Sequence, residues 1–459
     1  MIVRRFFEPL IAQASYLIGC GATGQAIVID PNRDSDTYVQ AAAADHLTIT
    51  HVTETHIHAD FLSGSRQLAR RTGAELLLSD EGDENWKYAF ASEGRLVRDG
   101  DRITIGSVLI DVVHTPGHTP EHLTLVVTDG AVADQPIAAA TGDFIFVGDV
   151  GRPDLLERAA NFAGTMEAGA RTLYRSLQAF NHHEEWLQIW PGHGAGSSCG
   201  KGISAVPYST LGYERRFNWA FKVKDETEFV HKVLTGQPDP PTYFAVMKRM
   251  NKVGPPILAD GFSAPRRLPD EELSPLVAGG ALVVDTRSAA EYGARSLPGT
   301  INLPLTPSFV TYGGWLLPYD ADLYLLIGDG AESRLPEIAR GFALIGLDRI
   351  AGYFADTALH GVASPQTIRQ LEPTDLVALN GQSAPVVIDV RQANEWNAGH
   401  LSGAMHIPLG RLESRVSEIP KGRPLAMQCQ GGTRSAIAAS LLKRAGFADV
   451  SNLAGGMEA

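Results

Sequence analysis

The sequence predicts an α/β protein of three domains, and three observations carry that reading. Its 459 residues correspond to about three domains at ~150 residues each. Residues 283–305 (VVDTRSAAEYGARSLPGTINLPL) recur at 387–409 (VIDVRQANEWNAGHLSGAMHIPL) at an offset of 104 without a gap, with ten identities in 23 positions. A period that long is a duplicated domain rather than a solenoid repeat. In each copy, short β-rich runs (ALVVD, YLLIG, APVVID, LAMQC) alternate with helix-like runs (SRLPEIARGFALIG, SAIAASLLKRAG). That alternation predicts a parallel sheet with helices on both faces.

The first ~257 residues read differently. Strand-like runs at 15–31, 47–53, 103–113, 123–127, 137–141 and 187–190 are joined by loops, with helical stretches at 62–72 and 163–180. The run at 15–31 is one strand (SYLIGCG) turning into a second (GQAIVIDP). Proline-rich stretches at 236–241 and 254–273 mark a linker, so a boundary falls near 258, and the repeat sets a second near 361. The domains expected are therefore 1–257, 265–360 and 362–459.

Composition narrows the function. The 39 Lys+Arg against 52 Asp+Glu leave a net charge of −13 with no basic run, which argues against nucleic acid as a partner. The three cysteines, Cys20, Cys199 and Cys429, are too few and too scattered for a disulfide framework, which implies a reducing compartment and working thiols. No run reaches 18 apolar residues, and the apolar N-terminal stretch is broken by Glu8, Pro9 and Gln13. The expectation is a cytoplasmic protein with no membrane partner. Its oligomeric state is left open, a homo-oligomer included.

Four strand ends deliver histidine or aspartate: TETHIHAD (His56, His58, Asp60), TPGHT (His118), ATGDF (Asp143) and WPGHG (His193). Functional sites of α/β proteins gather where strands end, and imidazoles with carboxylates suit a divalent metal. His51, His122, His182 and His183 read as solvated or hydrogen-bonded side chains instead. On these motifs the first ~250 residues resemble the metallo-β-lactamase superfamily, which implies an αββα sandwich with a metal at one edge of two sheets. That family's motif is usually HxHxDH. Here Phe61 replaces the last histidine, so a two-zinc site lacks a ligand.

Within the superfamily the sequence looks most like the persulfide dioxygenases, which are mononuclear iron enzymes. The resemblance implies Fe(2+) held by His56, His118 and Asp143, a facial triad that keeps positions open for O2 and substrate. His58, Asp60 and His193 would then orient ligands or handle protons. Arg152, in FVGDVGRPD, matches an arginine near the family's active site, where it would meet a substrate carboxylate; a loop salt bridge to Asp149 or Asp154 is the competing reading. Cys199 is either a small loop residue or a reactive thiol near the metal, and Cys20 belongs to the core. Ligand type alone leaves Zn(2+) as the alternative metal.

The second signal is LAMQCQGGTRSAIAASLLKRAGF at 425–447. A strand leads to Cys429, the loop Gln430-Gly431-Gly432-Thr433 follows, and Arg434-Ser435 opens a helix. Loop amides and a helix N-terminus pointing at one sulfur favour a thiolate and cradle an anionic substrate, to which Arg434 adds positive charge. With the lead-in Asp389, Arg391, Gly403, Ala404, Ile407 and Pro408, this segment resembles the rhodanese sulfurtransferases over about residues 362–459. The Cys-x4-Arg spacing suits sulfur rather than phosphate. Aligning Arg334 of the first copy with Arg434 puts Asp329 opposite Cys429, which implies an inactive copy.

The combined expectation is a persulfide dioxygenase–rhodanese fusion. It would oxidise glutathione persulfide or a similar low-molecular-weight persulfide with O2 to sulfite, and move sulfane sulfur between thiosulfate, sulfite and thiols through a Cys429 persulfide. The alternatives are a zinc thioester hydrolase of the glyoxalase II type fused to a sulfurtransferase, and a non-enzymatic sulfur carrier with a structural metal.

Overall fold

The structure, a computed structural model, describes residues 1–459 except 156, 158–163, 259–260, 263 and 379–383, and omits the side chains of 377 and 378. The chain divides into two compact units, Met1–Gly261 with Ala343–Gly346, and Phe262–Phe342 with Leu347–Ala459.

The first unit holds two six-stranded sheets. One runs in the order β1 (Ile2–Glu8), β2 (Gln13–Cys20), β3 (Gln25–Ile29), β4 (Thr48–Thr53), β5 (Glu75–Ser79), β6 (Arg95–Val97). The other contains β7 (Arg102–Ile105), β8 (Val108–His114), β9 (Leu123–Asp129), β10 (Ala138–Gly142), β11 (Gln188–Pro191) and β12 (Ser209–Thr210), in the spatial order β12 to β7. Side chains alternate between faces with period two. Tyr16 and Ile18 of β2, Ile27 and Ile29 of β3, and Leu123, Leu125 and Val127 of β9 fill the layer between the sheets.

The intervening residues cover the outer faces. Leu17, Ala26 and Val28 pack with Tyr38 and Ala42 of α1 (Ser35–Ala44) and Leu68 of α2 (Ser65–Thr72). Val126 and Ala139 pack with Ala170, Leu173, Leu177 and Phe180 of α3 (Thr165–Phe180), whose 3-4-3 spacing makes one apolar stripe, and with Phe229, Val230 and Val233 of α4 (Glu226–Leu234). Buried on both faces, these strands read as continuous apolar runs. The result is the expected αββα sandwich. Helix α3 begins at Thr165, and residue 163 of the expected 163–180 helix lies outside the described residues.

The second unit holds two further sheets. In the first, β13 (Leu282–Asp285), β14 (Ile301–Asn302), β15 (Leu323–Ile327) and β16 (Ile350–Ala355) lie in the order β14-β13-β15-β16, all parallel. In the second, β17 (Arg369–Leu371), β18 (Val386–Asp389), β19 (Met405–His406), β20 (Leu425–Gln428) and β21 (Val450–Leu453) lie in the order β17-β21-β20-β18-β19, again parallel. Read from the other edge, the second order repeats the first with β17 added. The duplication in sequence is thus a duplication in topology.

One tie recurs in both sheets. Arg287 Nη2 donates to Asp285 Oδ2 at 2.6 Å and to the Arg295 carbonyl at 2.8 Å. Arg391 Nη2 donates to Asp389 Oδ2 at 2.7 Å and to the Gly399 carbonyl at 2.7 Å. Each pair pins the end of its central strand to the segment closing the next helix, α5 (Ala289–Ala294) and α6 (Ala393–Ala398) respectively.

The register corrects the sequence alignment of the two copies. Asp285 pairs with Leu326 and Asp389 with Gln428, and the left-handed residues that open the following helical turns are Gly330 and Gly432. Both comparisons place the loops 102 residues apart, so the residue at the Cys429 position is Ile327, not Asp329. Ile327 is fully buried at the strand end, and Asp329 is exposed in the next turn. Nor is Arg334 the counterpart of Arg434; it pairs with Glu337 at 3.0 Å.

Candidate metal centre and cysteine loop

The loops after β4, β8, β10 and β11 meet at one end of the sandwich. Ligand atoms of His56, His118 and Asp143 lie within 4.8 Å of one another, all three residues buried. His118 Nε2 stands 3.4 Å and His56 Nε2 4.0 Å from Asp143 Oδ2.

The surroundings fix which nitrogen faces inward. Thr55 Oγ1 donates to Asp30 Oδ2 at 2.9 Å, so it accepts from His56 Nδ1 at 2.9 Å. His118 Nδ1 donates to the Arg152 carbonyl at 3.0 Å, and His193 Nδ1 to the Ala12 carbonyl at 3.0 Å. Each bond leaves the Nε2 lone pair turned toward the acids, the tautomer a metal ligand needs. Burial, followed by the neighbouring imidazoles, holds His56 well below the ordinary histidine range. Burial likewise lowers His118, against the pull of Asp143.

Both oxygens of Asp60 and of Asp143, and His193 Nε2, are buried without a hydrogen-bond partner among the described residues. Buried carboxylates left so require a cation, and a divalent metal on the three-residue set fits that requirement. Which metal it is, the donor chemistry does not fix.

The other expected residues separate. His58 turns away from the set: its Nε2 is 3.1 Å from Asp30 Oδ1, and its ring packs 4.4 Å from that of Phe61. Burial opposes its charge, but Asp30 and the neighbouring acids raise it to about 9. Asp60 and His193 come together with Cys199, within 4.8 Å. Burial, then Asp143 and Asp60, pushes the Cys199 thiol well up. Arg152 is held by protein partners. It is fully buried, pairs with Asp154 at 2.9 and 2.7 Å, and donates to the Ser198 and Pro238 carbonyls. The competing salt-bridge reading holds, with Asp154 as partner.

Residues the motifs did not mark complete the shell. Asp30, at the end of β3, accepts from the Thr55 amide at 2.6 Å and so braces the HxHxD segment. Glu121, which burial pushes up to about 7, accepts from the Ile57 amide at 2.8 Å. The Asp143 amide donates to His122 Nε2 at 3.1 Å, so His122 positions a ligand without being one. The available signal for Asp30 was that its strand, like the others, ends in an acid.

Gly151 lets two ligand loops meet, since a Cβ there would fall 1.8 Å from the Asp143 carbonyl oxygen and 3.1 Å from His118 Cβ. Gly151→Ala is expected to destabilise the fold by about 1–3 kcal/mol and to lower bound metal with it, as read by thermal denaturation and metal analysis.

In the second unit, β20 delivers Cys429 to the N-terminus of α7 (Thr433–Arg444). Gly432 adopts φ +90° and directs its amide at Cys429 Sγ, 3.1 Å away. Ser435 Oγ lies 3.2 Å from the sulfur and donates to the Gly432 carbonyl at 3.0 Å. Gln430 Oε1 accepts a long bond of 3.4 Å from Arg391 Nη1. Thr433 opens α7, and Gly431 is exposed at the loop tip. Arg434 does not offer a free guanidinium: its two terminal nitrogens hold Glu395 at 2.6 and 2.7 Å. Glu395 is partly buried, which opposes its charge, yet Arg434 keeps it below the usual carboxylate range. The sequence signal for Glu395 was a helix cap, since it also accepts from the Gln392 amide at 3.1 Å.

Among the described residues no helix is long and apolar enough to cross a membrane.

Comparison with known proteins agrees with this division. The Metallo-beta-lactamase superfamily matches residues 9–189 and the Rhodanese-like domain family residues 372–459. A crystal structure of a metallo-beta-lactamase from Staphylococcus aureus subsp. aureus COL is 41% identical, covers 77% of this chain and 99% of that one, and superposes with a TM-score of 0.71. A protein described as a probable metallo-hydrolase of Burkholderia pseudomallei is 33% identical over 205 residues, 39% of this chain and 67% of that protein. The human mitochondrial persulfide dioxygenase ETHE1 is 27% identical over 183 residues, 39% of this chain and 61% of its own length. The match therefore spans about six tenths of that dioxygenase.

Proposed function

The chain belongs to the metallo-beta-lactamase superfamily and carries a rhodanese-like domain, and from that premise we propose that it oxidises a low-molecular-weight persulfide at one iron and moves sulfane sulfur through Cys429. The observation that carries the first half is the set His56, His118 and Asp143, with His58 turned to Asp30 and Phe61 where another histidine would stand. Two imidazoles and one carboxylate leave adjacent positions open on ferrous iron, which when bound supplies the electron transfer to oxygen that zinc cannot.

The reaction is persulfide plus O2 plus water giving thiol, sulfite and two protons. The chain's own residues orient it. Thr55, Arg152 and Ala12 hold the imidazoles by their Nδ1 atoms, and Asp30 holds Thr55. Asp60 and His193, 3.2 Å apart, stand beside Asp143 as the groups able to hold a released proton at a carboxylate oxygen or Nε2.

At the second site the Cys429 sulfur would attack the outer sulfur of thiosulfate, leaving a cysteine persulfide and sulfite. The Gly432 amide supports the anionic sulfur through both states. Because Glu395 occupies Arg434, the loop amides rather than a bare guanidinium face the donor.

Oxygen consumption by the iron-loaded protein given glutathione persulfide tests the reading, with one sulfite formed per O2. Absence of uptake together with hydrolysis of a glutathione thioester would favour the hydrolase reading, which the metallo-hydrolase relative supports.

A further inference from the structure

Strands β20 and β21 lie side by side and run parallel, with Met427 opposite Asn452. The loop that carries Cys429 and the turn that follows Leu453 therefore leave the sheet at the same end. That turn, Gly455-Gly456-Met457-Glu458, is tied to the loop through the backbone. The Met457 amide donates to the Cys429 carbonyl at 2.9 Å, and the Glu458 amide to the Gln430 carbonyl at 3.1 Å.

An approach this close requires glycine. Gly455 and Gly456 are both left-handed, at φ +68° and +61°, a succession that residues with a Cβ avoid. A Cβ on Gly456 would fall 2.3 Å from the Cys429 carbonyl oxygen and 2.5 Å from that of Gln430. The two bonds also fix what the loop presents on its other side. In a trans peptide the carbonyl and the next residue's N–H point opposite ways, and no peptide bond among the described residues is cis. Holding the Cys429 and Gln430 carbonyls to the turn thus directs the Gln430 and Gly431 amides away from it. Neither amide is bonded to a carbonyl among the described residues, and the next one along, that of Gly432, meets the Cys429 sulfur at 3.1 Å.

The first copy supplies the contrast. Leu325 pairs with Tyr353 as Met427 pairs with Asn452, which puts Asp356 and Thr357 at the positions of Gly455 and Gly456. Neither has a positive φ; both lie in a helical turn, Asp356–Gly361. The glycine turn and the thiol occur in the same copy, and the copy with Ile327 has neither.

We propose that the turn Gly455–Glu458 is the positioning element of the Cys429 site. By tying back the Cys429 and Gln430 carbonyls it aims the Gln430 and Gly431 amides, together with that of Gly432, at negative charge on or beside the sulfur. The inference rests on the reading of Cys429 as a sulfur carrier only for what that charge is, a persulfide or the oxygens of thiosulfate.

The test is Gly456→Ala in the full-length protein, read by alkylation of Cys429 with iodoacetate and with iodoacetamide, each followed on the Cys429 peptide by mass spectrometry. In both reactions the thiolate displaces iodide from a methylene carbon, but only iodoacetate is an anion. The added Cβ forces loop and turn apart from 2.3 Å to an ordinary contact of 3.4 Å or more, and a displacement of about 1 Å costs ~10²-fold in rate. Thiosulfate:cyanide transfer should fall by that factor. The ratio of iodoacetate to iodoacetamide rates should fall about tenfold, as for loss of one hydrogen bond to a charged group. If Gly456→Ala does not fold, the α-hydroxy acid analogue of methionine at position 457 decides the matter. It exchanges the N–H that meets the Cys429 carbonyl for an oxygen without added bulk, and the ratio should fall ~2–10-fold.

An unchanged ratio in the folded variant, or a rise in both alkylation rates by one factor, overturns the proposal and leaves the turn as packing alone. A falling ratio in a protein whose unsubstituted form transfers no sulfur removes the sulfurtransferase reading and keeps the positioning role.

Discussion

Replacing His118 with alanine is expected to abolish oxygen uptake with glutathione persulfide, a fall of at least ~100-fold, while thiosulfate-dependent transfer at Cys429 continues. On the proposed reading the imidazole is one of three metal ligands, its donor atom within 4.8 Å of those of His56 and Asp143, and losing a mere outer-sphere partner of a metal ligand already costs ~10–100-fold. Thermal denaturation of the variant separates metal loss from unfolding, and analysis of bound iron shows whether activity and metal fall together. Uptake at the unsubstituted rate would remove His118 from the metal set.

Cys429→Ser is expected to show the mirror result: thiosulfate:cyanide transfer falls by at least ~10³-fold, and oxygen uptake persists. A hydroxyl is a weak nucleophile at neutral pH and forms no persulfide. The loop should still fold, because the Gly432 amide and Ser435 hydroxyl that now meet sulfur can meet the serine oxygen. Transfer retained by the variant would mean the sulfur passes elsewhere. Running both variants in both assays also shows whether the activities are separable at all.

Much of this was legible because its signals are local in sequence. HIHAD, PGHT, TGD and PGHG each place a donor at a strand end, and a strand followed by CQGGTRS places Cys429 before a helix N-terminus, both read along the backbone. What escaped needs the third dimension. Asp30 lies 25 positions from the Thr55 amide it accepts from, and nothing in VIDPN states that its strand runs beside β4. The meeting of Cys199 with Asp60 and the saturation of Arg152 by Asp154 and two carbonyls are likewise products of loop packing.

Strands escaped too. β5, in AELLLS, is short and follows a helix directly, while β1 carries Arg4 and Arg5 in an edge position where polar residues are tolerated. Asp329 and Ile327 are told apart only by strand pairing, because the loop after β15 carries an arginine, Arg334, that mimics Arg434 in sequence while the sheet sets the register.

The Asp–Arg tie, present as Asp285–Arg287 and again as Asp389–Arg391, shows where the duplicated architecture keeps its integrity. The clasp sits at the end of its strand, one strand away from the loop that carries Cys429, and it is kept in the copy that has Ile327 at the thiol's position. The framework therefore does not depend on which residue fills that loop position, and placing a thiol in the first copy would mean rebuilding the turn at the end of β15 rather than redesigning a sheet.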